Sequence, residues 1–110
     1  MAISNAAVTS SVSAIYESTG NNAITTLIFC NTSTYVDATP TLNQSLLYVY
    51  AVPSGGTADT TTIIVNGLPI PAGETVSFDQ EKMVLGLGDK IYAKTDSLSN
   101  ITATISTLPV

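Results

Sequence analysis

At intervals of roughly ten residues the chain sets a short run of β-branched and aromatic residues between turn-forming ones. Nowhere does an apolar period of 3.6 residues accompany it. This punctuation constrains the fold more than any single motif does. The runs are 6–16, AITTLIFCN at 23–31, SLLYVYAV at 45–52, TTIIVN at 61–66, ETVSF at 74–78, MVL at 83–85, KIYAK at 90–94 and ITATIS at 101–106. Between them lie STGNN, PSGGTAD, the bend formed by Gly67, Pro69 and Pro71, and PAG, all turn formers for known conformational reasons. Seven or eight short strands so spaced predict an all-β chain: one small β-sandwich of immunoglobulin-like or jelly-roll type. It would occupy residues 1–110 as a single domain, since 110 residues are too few for two ordinary domains.

Some runs carry more detail. Ala6, Val8, Val12, Ala14 and Tyr16 share one parity, as in a single half-buried strand. The 23–31 run is apolar on both parities, which predicts cover on both faces. Residues 32–44 are polar, contain Pro40 and read as a long loop. Tyr48 and Tyr50 share a parity, so both rings point to one face of their strand.

Composition excludes several kinds of chemistry. There is no histidine, so Ser-His-Asp and Cys-His catalysis are out of reach and zinc loses its main ligand. Cys30 is alone, which excludes an internal disulfide and reads as a small buried apolar residue. The densest carboxylates, Asp79, Glu81 and Asp89, lack the calcium-loop spacing, and two of them sit beside Lys82 and Lys90 as in a solvated turn. No cofactor is expected. MVLGLGDKIYAK at 83–94 has two glycines of a dinucleotide fingerprint, but Ile91 stands where the third belongs and β-type residues follow. An acid at position 89 would repel a phosphate. The stretch is expected to be a β-hairpin, with Asp89 bonding its own turn and Lys90 and Lys94 facing outward, opposite Ile91 and Ala93. The triplets at Asn31, Asn43 and Asn100 match the glycosylation pattern, which a chain this rich in Asn, Ser and Thr produces by chance.

Charge is scarce. Charged residues are 10% of the chain, against roughly 25% in an average globular protein, with 17 Thr and 12 Ser in their place. Only Glu17 and Asp37 precede residue 59, and the three lysines are Lys82, Lys90 and Lys94. A net charge of −5 without a cationic cluster excludes nucleic acid as a partner. The longest apolar run, LLYVYAV, is too short to cross a membrane as a helix, so no membrane partner is expected, and no small-molecule substrate either. Uncharged surfaces suit a protein permanently covered by partners. The expected interface comprises Met1, Ala2 and Ile3, within an N-terminal arm at residues 1–6, together with Tyr35, Tyr48 and Tyr50.

The succession IFCNTS (28–33), LLYVYAVPSGG (46–56), LPIPAGETVSF (68–78) and MVLGLGDKIYA (83–93) resembles small β-sandwich virion proteins of tailed bacteriophages, over about residues 12–106. The resemblance implies a non-enzymatic virion subunit, made in the host cytoplasm. Its partners would be other copies of itself and other virion proteins, the major capsid protein first. Capsid decoration or cement is the leading expectation, and a tail, baseplate or fibre accessory the alternative. A carbohydrate-binding or adhesion module using Tyr48, Tyr50 or residues 31–44 is a further one. A small hydrolase resting on Asp79, Glu81 and Asp89 comes last.

Overall fold

The computed structural model describes residues 2–79 and 82–110, in which nine strands and no helix occur. The strands are β1 (Ala2–Val8), β2 (Ser13–Glu17), β3 (Asn22–Asn31), β4 (Ser45–Val52), β5 (Ile63–Ile70), β6 (Thr75–Phe78), β7 (Met83–Leu85), β8 (Lys90–Thr95) and β9 (Ile101–Pro109). They form two antiparallel sheets, ordered β1-β9-β3-β6, with β7 also on β3, and β2-β8-β4-β5. The chain is a small β-sandwich, as its spacing predicts.

The pairings show how it is wound. β1 lies on β9, β2 on β8, β3 on β6 and β7, and β4 on β5. The chain therefore doubles back at residues 53–62 into one long two-stranded ribbon. Rolling that ribbon adds the contacts β9 to β3 and β8 to β4. A rolled ribbon in two sheets is the jelly-roll arrangement, and the immunoglobulin strand order is not present. Between the sheets Phe29, Ile24, Leu47, Ile70, Ile91, Ile101 and Ile105 are fully buried. Phe29 meets Phe78 edge-on, with ring centroids 6.1 Å apart.

Cys30, expected to be buried, is half-buried and outside the core, and four expectations about the strands need correction. The alternating stretch 6–16 is two strands in different sheets. Thr9 turns the chain between them: its hydroxyl donates to the Ser11 carbonyl and accepts from the Ser11 amide. Past that turn the buried residue is Ile15, while Val12 and Ala14 are exposed. β3 is apolar on both parities because a bulge at Thr25 shifts its register, not because both faces are covered. Ile24, Leu27 and Phe29 all point inward as a result. β5 runs through Gly67 and Pro69 instead of bending there. As an edge strand it tolerates a proline, and Gly67, at φ 81°, sits at a register shift.

The fourth concerns MVLGLGDKIYAK. β7 belongs to one sheet and β8 to the other, so the stretch is a tight crossing between sheets and not a hairpin. Gly88 has φ 86°, as the third residue of a type II turn requires, and the Asp89 amide donates to the Gly86 carbonyl. Asp89 does bond its own turn, accepting from the Gly86 amide at 2.9 Å, and it also holds the Ser54 amide at 2.9 Å. Lys90 and Lys94 face outward and Ile91 and Ala93 inward, as expected.

The ribbon's own hairpin loop is organised by Asp59. Its carboxylate accepts from the Thr61 hydroxyl and amide at 2.5 and 2.9 Å and from the Thr57 hydroxyl at 2.9 Å. These bonds, Thr61's first, hold its pKa below the ordinary carboxylate value. A depressed pKa favours the folded state above the unfolded-chain value near 3.9, and the gain is lost as pH falls through the lower folded value. Asp59→Ala should therefore flatten the acid limb of the stability curve relative to the unmutated chain. Denaturant midpoints between about pH 6 and pH 2 would read this, and parallel acid limbs would refute it.

Candidate functional site: an uncharged sheet face and its edge

The register fixes which side chains cover each outer face. On the β1-β9-β3-β6 sheet these are Ile3, Asn5 and Ala7, then Thr102, Thr104 and Ser106, then Thr26, Ile28 and Cys30, then Thr75 and Ser77. Their partners in alternation (Val8, Ala103, Ile105, Leu27 and Phe29) are buried in the core. None of the outward residues is charged. Thr104 donates to the Asn5 side chain at 2.9 Å, tying β1 to β9 across that face. At its far end stands Val84 of β7, 66% exposed.

The opposite sheet is different. Lys90 and Lys94 flank Tyr92 on its outer face, with Tyr48 and Tyr50 beside them on β4. Lys94 lies 5.0 Å from the Tyr48 ring centroid, a cation–π contact. Lys90 reaches Glu17 at 3.9 Å in an exposed pair that adds little stability. Tyr48 also lies over Gly67. Tyr50 is buried, so the two tyrosines do not present a paired ring platform.

The remaining sequence-designated residues are scattered. Ala2 and Ile3 belong to β1, Ile3 being 69% exposed, so the described part of the expected arm is an edge strand laid along β9. Tyr35 is half exposed in the 32–44 loop, beside Gly73. Met1 and Glu81 lie outside the described residues. Asp79 follows β6 and Asp89 is committed to two backbone amides. Among the described residues no cluster of His, Cys, Asp or Glu could hold a metal ion, and no helix is long and apolar enough to cross a membrane.

An apolar cleft of about 360 Å³ opens between the sheets on the β5 and β6–β7 side. Among the described residues Leu27, Phe29, Val49, Ile64, Val65, Phe78 and Met83 line it, and none of these side chains is polar. At one end of the sandwich the three Asn triplets converge. Asn31, 1% exposed, donates to the carbonyls of Asn43 and Ile70 at 2.9 Å each and accepts from the Ser33 amide at 3.0 Å. Asn100 donates to the same Asn43 carbonyl at 2.9 Å and to Ser33 Oγ at 3.0 Å, and accepts from Ser45 at 2.5 Å. Asn43 itself turns the chain at φ 61°. The triplets form a structural clasp, with Asn31 too buried to accept a glycan in the folded chain.

Comparison with protein-family models, curated proteins and solved structures returned no match.

Proposed function

We propose that the chain is a non-enzymatic virion structural subunit, a capsid decoration or cement protein that stabilises a particle by protein–protein contact. The observation that carries this reading is the outer face of the β1-β9-β3-β6 sheet, which bears no charged side chain among the described residues in a chain of net charge −5. Such a face is matched to a protein neighbour, because covering it desolvates no ion. Jelly rolls are a recurrent architecture of viral capsid and lectin domains, and a fold alone does not assign a role. The acidic balance suits the outside of a particle, since packaged nucleic acid calls for cations.

The test is the protein's abundance in purified particles. A capsid decoration is expected at hundreds of copies, and a tail, baseplate or fibre accessory at six to a few dozen, as closed symmetry dictates in order of magnitude. Quantitative gel or mass-spectrometric stoichiometry reads the number. Absence from particles would refute the virion reading, and a count in the tens would move the subunit to the tail.

A further inference from the structure

The two sheets have four edges, and three carry features that discourage strand pairing. β2 has five residues, a register shift between Ala14 and Tyr16, and Glu17. β5 has Pro69, positive-φ Gly67 and two register shifts. On the remaining side of the first sheet β6 and β7 are four and three residues long, with Asp79 and Lys82 flanking the gap. β1 alone is unguarded. It runs seven residues in unbroken register with β9, without a charge, a proline or a bulge.

An open strand edge offers a row of backbone donors and acceptors on which another extended strand can pair in register. β1 also carries a knob and a hollow on the same outer face. The knob is Ile3, 69% exposed. The hollow is shallow and lies over Asn5, Ala6 and Ala7 and the facing Thr102, Ala103 and Thr104. In an antiparallel pair of two β1 strands with Asn5 opposite its own copy, Ile3 stands opposite Ala7. Each isoleucine then meets the partner's hollow, so the contact is made twice about one two-fold axis. Opposed residues share a face, so the uncharged surface continues across the junction.

We infer that β1 is a homotypic docking edge: a second copy of this chain adds its own β1 antiparallel, centred on Asn5, joining two β1-β9-β3-β6 sheets into one. This deepens the assembly reading by naming the surface through which copies meet, and it is tested on the purified chain without any particle. Its failure would leave the copy-number test untouched.

The experiment places thiols along β1 in a Cys30→Ser background, which removes the native free cysteine. Residues directly opposed in an antiparallel pair have Cα atoms roughly 4.5–5.5 Å apart, within disulfide range. Under mild oxidation Asn5→Cys should form a covalent dimer with itself. Ile3→Cys alone should not, and a mixture of Ile3→Cys with Ala7→Cys should cross-link as a heterodimer. Independently, Ala7→Lys should return the protein to monomer mass in sedimentation, while Val84→Lys, on another edge, should leave the mass unchanged. A monomer at about 1 mM for the unmutated chain would overturn the inference. So would cross-linking at position 3 as efficient as at position 5, or no cross-link at position 5 when that thiol reacts freely with a small maleimide.

Discussion

Asn31→Asp is expected to remove about 4 kcal/mol of folding stability at neutral pH, through one orphaned carbonyl and one buried charge. The side chain is isosteric, so packing is unchanged and the loss reports the lost hydrogen bond and the buried charge. The amide nitrogen now donates to two carbonyls, of Asn43 and Ile70. A carboxylate would set an oxygen against both, in a position 1% exposed to water. The Asn43 carbonyl keeps its Asn100 donor, whereas the Ile70 carbonyl loses its side-chain partner. Against a typical domain stability of about 5–15 kcal/mol the loss is a large fraction. It should also depend on pH with a definite sign. The buried carboxyl binds its proton more tightly in the folded than in the unfolded chain. The variant therefore regains stability relative to the unmutated chain at low pH, and loses it as pH rises from about 3.9, the unfolded value, through the raised folded value. Urea unfolding at pH 7 and pH 4 measures both effects. A loss under about 1 kcal/mol at pH 7, unchanged at pH 4, would show that the clasp is dispensable.

Gly88→Ala is the second substitution with a large expected effect, about 2.5 kcal/mol. Its φ of 86° is strained for any residue with a Cβ. The added methyl would also stand 2.6 Å from Ser54 Oγ and 3.1 Å from Ser54 Cβ. Ser54 cannot retreat freely, because its amide is held by Asp89 at 2.9 Å. The turn that carries the chain from one sheet to the other thus closes against the far end of the ribbon, and the alanine must break one contact or the other. The urea midpoint should fall by roughly 1–2 M at the slopes usual for small domains. Gly20→Ala is the control: a methyl added there would meet nothing within 4 Å, and the position needs no positive φ. Equal effects at the two positions would mean that the Ser54 contact is irrelevant.

Strand content was legible because Val, Ile, Thr and Tyr declare themselves in short runs between turn formers. What the runs do not declare is sheet membership. Ala6 to Tyr16 alternates across a sheet change, and Leu85 and Lys90 are separated by a turn that looks like a hairpin and is not one. In both places a local period is blind to the partner, which in a rolled ribbon is chosen by residues some 60 to 100 positions away. Thr25 hides in the same way: a bulge reads as two-sided apolarity until the register with β9 is known. The uncharged face was half legible. Residues 1–16, 18–36 and 97–110 contain no charged side chain, and they hold β1, β3 and β9. That these three lie side by side follows only from the pairing. The asparagine clasp gave a misleading signal, since its three triplets mimic a modification motif whose spacing has nothing to do with their meeting.

The rolled ribbon also sets a timetable. In the first sheet β9 lies between β1 and β3 and, among the described strands, is the one that β1 pairs with. A growing polypeptide makes β1 first of the nine and β9 last. Until residues 101–109 have emerged, β1 has no strand to lie on and the smooth face does not exist. The uncharged face is therefore completed last, after the other eight strands have been made.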